Sequence, residues 1–539
     1  MATLLEPTSR AAYAGAGLLA TTAGIAFGHL AAALTNPAAS PVLAVGSTVI
    51  DLTPTPLKEW AVRELGNADK PILLASVAVG TLVLAGGAGV LVRRSFALGA
   101  ALLIGLVALA GVLAVTRPAA GATEAIPAVV AGLVGVAVLA FVTTRLHALA
   151  GARPTGAPTA DTSPATEAVD SAPLPGTAQA VLGARHARTG RRGLLVGVGA
   201  VAALSGAAAA TGQWLVRTGT RIADVVLPRP TESLPPLPAG LEVKHDGISA
   251  FRTANRDFYR VDTNLVVPRV DVDRWSLTID GDVRERLELS FDDLLAMPLV
   301  ERDITLTCVS NEVGGKYVGA ARWLGVPLKD LLDRAGVGTK ADQLLSTAVD
   351  GFTISTPLDV VRDGRDVLVA VGMNGEPLPA DHGFPARLVT PGVYGFVGAT
   401  KWLERLTLTT YAAKKSYWTK RGWATDAPIK VSARIDTPKP FSTVDAGTTV
   451  IGGVAWAQHR GIARVEVRIN GGAWQVARLG PDAGLDYWRQ WYLPWDAPKG
   501  RHLVAVRAIT KDGDVQTPVR RTPFPDGSSG IQEVVVNVS

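Results

Sequence analysis

Four stretches of the chain carry no Asp, Glu, Lys or Arg: about 11–34, 71–92, 95–116 and 125–144. Each has about 20 residues or more, enough for a helix to cross a hydrocarbon layer ~30 Å thick. One such run can be a buried helix of a soluble protein. Four within the first 150 residues predict membrane spans. A fifth run, about 193–216 (GLLVGVGAVAALSGAAAATGQWLV), is Ala- and Gly-rich and only mildly apolar, and is expected to span as well. The pattern gives 1–150 as four transmembrane helices and 191–217 as a fifth. Residues 151–190 are rich in Pro, Ala, Thr and Gly and predict a disordered cytoplasmic linker. Residues 218–240 predict a stiff proline-rich spacer.

After 240 the continuous apolar runs give way to short alternating segments. WSLTID (275–280) predicts a strand, GDV its turn, and SFDDLLAM a helix start with Ser290 as N-cap and Asp292 and Asp293 in the first turn. RDITLTC (302–308) predicts a second strand, with Cys308 at its end. WLGVPLKDLLDRA (323–335) takes helical spacing after its proline. These pieces make 241–427 a mixed α+β domain. Over 428–539, ARVEVRIN alternates and meets a turn at Asn470-Gly471-Gly472, and HLVAVRAIT and IQEVVVNV predict further strands. Trp456, Trp474, Trp488, Trp491 and Trp495 cluster there and are expected to serve core and hairpin packing. The fold class is multi-domain: a five-span helical bundle, an α+β domain and a C-terminal β-domain.

Composition sharpens this picture. The chain has 539 residues, 48% hydrophobic and 19% charged, and the apolar excess lies in the first 216. The net charge of +6 is too diffuse to argue for nucleic acid, and no basic run interleaved with aromatics is present. Arg10, Arg93, Arg94, Arg145 and Arg153 flank one side of the spans. The opposite loops carry balanced charge (35–70) or only Arg117 and Glu124. The positive-inside rule therefore puts the amino terminus in the cytoplasm and residues after 217 outside a plasma membrane. Arg191 and Arg192, preceded by Thr189 and followed by a weak apolar run, are either an anchor flank or an internal twin-arginine export signal, a route for domains folded before crossing. Gly86-Gly87-Ala88-Gly89 is expected to pack helices. His29 and His147 lie near opposite membrane faces, so no haem is expected.

Cys308 is the only cysteine. It cannot form an internal disulfide. By itself it reads either as a small buried apolar residue or as a thiolate ligand or nucleophile. The surrounding segments TLTCVSNEVGG, GVPLKDLLDRAG and MNGEPLPADHGFPARLVTPGVYGFVGATKWLERL resemble the sulfite-oxidase-type molybdopterin enzymes over most of 250–539. The resemblance implies that Cys308 is the protein's ligand to molybdenum, and a soft thiolate suits a redox metal held by sulfur. It implies that Asn255, Tyr259, His382 and Arg387 line a molybdenum–pterin dithiolene cofactor, that Gly398, in the Gly-bearing 395–400 loop, brings backbone N–H groups close, and that Thr400 and Lys401 meet the cofactor phosphate. It implies an immunoglobulin-like domain over 428–539, of a kind that often makes homodimers.

Departures from that family pattern bear on the substrate. The chain reads Val261, Asp262 and Thr263 where sulfite oxidases carry Arg-Asn-His, Phe352 where they carry a pocket Tyr, and Glu312 where an Arg follows the Asn. Basic residues and a phenol expected near an oxyanion are thus absent, which counts against sulfite. Lys420 and Arg421 align with a basic part of the anion pocket and are expected to hold an anionic or oxide-bearing substrate. The expected function is two-electron oxygen-atom transfer on a small sulfur- or nitrogen-containing substrate, with the bilayer and an unidentified electron carrier as partners. The alternatives are a sulfoxide or N-oxide reductase of the same fold, or a non-catalytic membrane protein with a vestigial cofactor site.

Overall fold

The computed structural model describes residues 9–65, 68–151, 177–218 and 222–539. Contacts divide the chain into two units. One runs through Gly219 and takes in Thr263–Val266; the other comprises Thr220–Asp262 and Val267–Ser539.

In the first unit the helices are α1 (Arg10–Leu34), α2 (Pro41–Leu52), α3 (Thr55–Leu65), α4 (Asp69–Val92), α5 (Phe96–Val115), α6 (Ile126–Gly151) and α7 (Thr177–Thr218). Among the described residues, five helical stretches are long and apolar enough to cross a membrane: Arg10–Leu34, Asp69–Val92, Phe96–Val115, Ala122–Ala150 and Arg192–Val216. They coincide with the five uncharged runs. Helix α1 packs on α4, α6 and α7, and small residues make this possible. A Cβ added to Gly17 would run into Ala85 O, and one on Gly89 into Tyr13 O. Where surrounding lipid is as apolar as the side chains, such close backbone approach supplies the packing contacts. Of the Gly86–Gly89 run, only Ala88 and Gly89 are buried, and the positions next to Gly86 and Gly87 are open.

Three findings go beyond the hydropathy reading. The 35–70 segment folds into α2 and α3, with Pro41 at the first turn of α2, where its missing N–H costs no hydrogen bond. Helix α7 starts at Thr177, inside the stretch expected to be linker, so the Arg191-Arg192 pair lies within a helix. The reason is local: no proline follows Pro175 until Pro228, and Ala, Arg, Leu and Gln dominate the start of the helix. The rest of the expected linker, residues 152–176 with Arg153, lies outside the described residues. Finally, His147 meets the Tyr13 ring at 5.6 Å while His29 packs beside Gly212. Tyr13 and His29 are 16 positions apart on α1, roughly 24 Å at 1.5 Å per residue.

The second unit is built on β1 (Ser276–Gly281), β2 (Leu287–Ser290), β3 (Val300–Thr307), β4 (Val318–Pro327), β5 (Gln343–Ala348), β6 (Thr353–Pro357), β7 (Leu368–Met373), β8 (Glu376–Pro377), β9 (Arg387–Val389) and β10 (Leu403–Thr409). The C-terminal part adds β11 (Ser432–Thr437), β12 (Thr443–Val444), β13 (Gly447–Trp456), β14 (Ile462–Ile469), β15 (Gln475–Val476), β16 (Arg478–Leu479), β17 (Arg489–Ala497), β18 (Gly500–Thr510) and β19 (Gln532–Val538). The first sheet has the order β2-β1-β10-β5-β6. The second runs β3-β4-β7-β8, with β9 also on β7. Sheets β11-β13-β17-β16 and β12-β19-β18-β14-β15 form a sandwich around Ile451, Val465, Trp491, Val504 and Val536.

The predicted strands at 275–280 and 302–308 correspond to β1 and β3. Ser290 caps its short helix reciprocally with Asp293. The sandwich does not hang from a linker. Val309, Tyr394 and Trp423 of the α+β part share one apolar cluster with Val454, Trp456 and Trp488 of the sandwich, and Ile429 N donates to Gly392 O at 2.9 Å. Among the clustered tryptophans, Trp491 and Trp495 fill the sandwich core, and Trp474 lies between the Arg468 and Arg507 guanidinium groups at 4.7 and 4.3 Å.

Candidate functional site

β3 carries four buried residues, Ile304 to Thr307, into the interior, and Cys308 follows at its carboxyl end. The backbone of Cys308 is held by its N–H to Tyr317 O and by Asn311 N–H to its own carbonyl, both at 3.0 Å. Its thiol is buried and unoxidised. Burial pushes the thiol pKa up, against hydrogen bonds from Ser310 and the charge of Lys401. A buried neutral thiol becomes a ligand only when a metal replaces its proton.

Four elements converge on this strand end. The short Gly395–Gly398 helix arrives with Gly395 placed so that a Cβ there would lie 3.8 Å from Thr307 O and 4.0 Å from the Tyr259 hydroxyl. Tyr259 stacks on Phe258 at 5.2 Å. Burial drives its hydroxyl pKa up, with Cys308 and Arg387 within electrostatic range. The 381–387 loop closes on Lys401 because Gly383 adopts φ +113, and a Cβ there would lie 3.0 Å from Lys401 Cβ and 3.1 Å from Arg387 Cβ. His382 is buried, with Nε2 at 2.9 Å from Asn255 O, and burial lowers its pKa.

The two cations of this group differ in pairing. Lys401 Nζ donates to Asp262 Oδ2 at 2.6 Å and Asp381 O at 3.2 Å, and burial brings its pKa down to about 8. Arg387 donates to His382 O at 3.1 Å and Ala399 O at 3.4 Å and lies 5.0 Å from the Trp323 ring. No carboxylate pairs with it among the described residues. Its Nε is buried without a partner, as is Thr390 Oγ1 nearby on the strand-to-loop turn. Burial lowers the Arg387 pKa to about 10. A buried guanidinium with an orphaned N–H is costly by itself and is completed by an anion. This donor set of one thiol, one uncompensated guanidinium and one ammonium fits a soft metal bound together with a phosphorylated organic group.

The structure brings Tyr259, Cys308, His382, Arg387, Gly398 and Lys401 together. Two expected lining residues are used differently. The Asn255 side chain donates to Met373 O and Glu376 and accepts from Asn374, and the Thr400 hydroxyl lies 2.5 Å from that of Ser346 in β5. Their polar atoms are engaged by protein because interior polar groups take the nearest partner. Lys420 and Arg421 sit on a separate short turn, Thr419–Arg421. Lys420 is exposed. Arg421 lies 3.5 Å from the centre of the Tyr417 ring, and Tyr417 in turn meets Phe352 at 5.0 Å and Trp418 at 4.9 Å.

Sequence reasoning missed Asp262 as a partner of both Lys401 and Arg260. The only signal was the Arg260-x-Asp262 spacing. It also missed Trp323 beneath Arg387, which looked like any apolar residue of β4.

Residues 264–418 match the family described as "Oxidoreductase molybdopterin binding domain". Over this stretch the chain is similar to molybdopterin-binding oxidoreductase domains, those of sulfite oxidases among them. Human mitochondrial sulfite oxidase is 33% identical over 303 residues, 46% of this chain and 54% of that protein. NADH nitrate reductase 2 of Nicotiana tabacum is 27% identical over 285 residues, 42% of this chain and 31% of that protein. The sulfane dehydrogenase SoxCD of Paracoccus pantotrophus superposes with a TM-score of 0.45 at 26% identity, over 51% of this chain and 80% of that one. The chain thus spans about half the length of the sulfite oxidase it matches.

Proposed function

We propose that this chain is a membrane-anchored oxidoreductase that transfers an oxygen atom to or from a small sulfur- or nitrogen-containing substrate outside the cytoplasmic membrane, two electrons moving the opposite way to the oxygen. One observation carries the reading: a buried thiol at the end of β3 and a buried guanidinium whose Nε has no partner among the described residues both lie within electrostatic range of Tyr259. The bound molybdenum–pterin group supplies two-electron redox chemistry and an exchangeable oxygen atom. The chain does the rest. Cys308 would give up its proton and hold the metal through Sγ. Arg387 and Lys401 neutralise the group's phosphate, Lys401 being oriented by Asp262. Tyr259 and His382 line the pterin. Gly398 lets backbone approach, and a Cβ there would lie 2.6 Å from Thr390 Cβ. Lys420 and Arg421 receive the oxide or anionic end of the substrate.

The aromatic group Phe352, Tyr417 and Trp418 beside Arg421 favours, as a second reading, a sulfoxide or N-oxide with an apolar body over the bare sulfite dianion. Protein purified from membranes should contain about one molybdenum per chain. It should reduce sulfoxides or N-oxides with a reduced viologen faster than it oxidises sulfite with an artificial acceptor. Sulfite turnover matching that of sulfite oxidases would reverse the substrate preference, and absence of metal would leave only a vestigial site.

The side of the membrane rests on the flanking arginines and on Arg191-Arg192. Replacing that pair by lysines should trap the C-terminal unit inside the cell, protected from added protease. Arrival outside despite the change would reduce the pair to an anchor flank.

A further inference from the structure

β3 has β4 on one side only; the order β3-β4-β7-β8 leaves its other edge without a strand. An edge strand presents unpaired N–H and C=O groups and is free to shift or fray. At the amino-terminal end Glu301 N donates to Glu232 O at 3.0 Å, and toward Cys308 the sandwich takes those groups. Thr305 N donates to Asp486 O at 2.9 Å, Trp488 N donates to Thr305 Oγ1 at 2.9 Å, and the Gln458 amide nitrogen donates to Thr305 O at 2.9 Å and to Thr307 Oγ1 at 3.0 Å. Beyond Cys308 the same sandwich grips the loop. Ser528 Oγ donates to Asn311 O at 2.5 Å and Arg434 Nη1 to Gly315 O at 3.0 Å. The grips fall three and one residues before the cysteine and three and seven after it.

Gln458 stands out among them. It is buried, yet its own Oε1 has no partner. A leucine would remove that orphaned oxygen but leave Thr305 O and Thr307 Oγ1 without this donor, so what the amide contributes lies in the two bonds of its nitrogen. What the amide alone supplies is two directed donors aimed at the residues immediately before the thiol.

We propose that the C-terminal sandwich is the positioning element of the metal ligand, with Gln458 and Ser528 as positioning residues that fix where the Cys308 sulfur lies. This rests on the reading of Cys308 as the molybdenum ligand. Groups that orient a ligand from behind alter metal properties and activity without touching the metal.

The test uses the full-length chain in detergent with Gln458→Leu and Ser528→Ala, and Ser528→Thr as the conservative rescue. Val536→Ala, in the sandwich core, serves as a variant that lowers stability alone. Gln458→Leu and Ser528→Ala should keep about one molybdenum per chain, change the molybdenum(V) paramagnetic resonance signal, and lower kcat ~10-fold with KM nearly unchanged. In cofactor-free protein they should speed alkylation of Cys308 by iodoacetamide by about tenfold through loosening of the edge. That readout is unambiguous because the chain has one cysteine. Ser528→Thr and Val536→Ala should retain the original signal and alkylation rate. The proposal is overturned if Gln458→Leu and Ser528→Ala keep the original signal and alkylation rate, whatever their melting temperature, or if Val536→Ala moves both as much. Should Gln458→Leu fail to fold, Ser528→Ala decides. If the unaltered chain holds no molybdenum, the functional reading falls, while the alkylation comparison still decides whether the sandwich sets the sulfur.

Discussion

Cys308→Ala should leave the chain folded and in the membrane, strip it of molybdenum and abolish turnover. The side chain removed is small. It is buried at the end of a strand whose backbone is held by its own partners, Tyr317 and Asn311, neither of which needs the sulfur. Loss of one buried sulfur costs about 1 kcal/mol in an otherwise intact core, well within the stability of a typical domain. The thiol is also protonated in the cofactor-free protein, since burial outweighs the pull of Ser310 and Lys401. Removing it therefore leaves no stranded charge. The expected result is a melting temperature within a few degrees of the original, with metal content near zero by elemental analysis. Retention of stoichiometric molybdenum by the alanine variant would mean that some other group is the ligand.

Arg387→Met should have opposite effects on the empty and the loaded protein. In the empty protein, Arg387 is a buried cation with no carboxylate beside it and an unsatisfied Nε. Replacing an uncompensated buried charge by a packed apolar chain of similar length should raise cofactor-free stability by ~1–3 kcal/mol. In the loaded protein the same change removes the guanidinium that completes a phosphate, and retention of molybdenum and pterin after gel filtration should fall by ~100-fold or more. A residue that merely holds the 381–387 loop to Ala399 would give the reverse sign in the empty protein, with loss of stability. Denaturant titration of cofactor-free samples separates the two.

Lys401 adds a pH signature. Its pKa in the fold, about 8, lies below its ordinary value of 10.5. Below pH 8 both folded and unfolded chains hold the proton, and the fold bears the full cost of the buried charge. As pH rises past 8 the folded chain releases the proton first and that cost is relieved, so cofactor-free stability should rise from pH 8 toward 10.5 relative to Lys401→Met. Over the same window the site loses a positive charge and should hold a phosphate less well.

Much of this chain could be read from local pattern, and the reasons are physical. The five spans are legible because an uncharged run of about 20 residues has few other stable uses. The Ser290 cap is legible because Ser followed by Asp at the third helical position satisfies two backbone groups within four residues. Cys308 is legible because the motif around it is long and its residues are contiguous in sequence. What escaped was whatever depended on partners distant along the chain. Asp262 read only as a departure from the family's Asn; in three dimensions it is the counter-ion that orients Lys401, 139 positions away. Which polar atoms Asn255 and Thr400 meet was decided by Asn374 and Ser346. The start of α7 was hidden because a Pro-rich, polar composition was extended too far beyond its last proline.

By itself, the sequence determined which segments can enter lipid, where two α+β strands begin, and which side chain can bind a soft metal, because these properties depend on residues close together in the chain. Only the tertiary structure decided that an arginine 79 residues downstream of that thiol has a buried Nε without a partner among the described residues, and that the exposed edge of the thiol's strand is closed by a glutamine 150 residues after it. Hydrogen bonds and desolvation act between atoms a few ångströms apart, and chain folding alone determines which distant residues come that close.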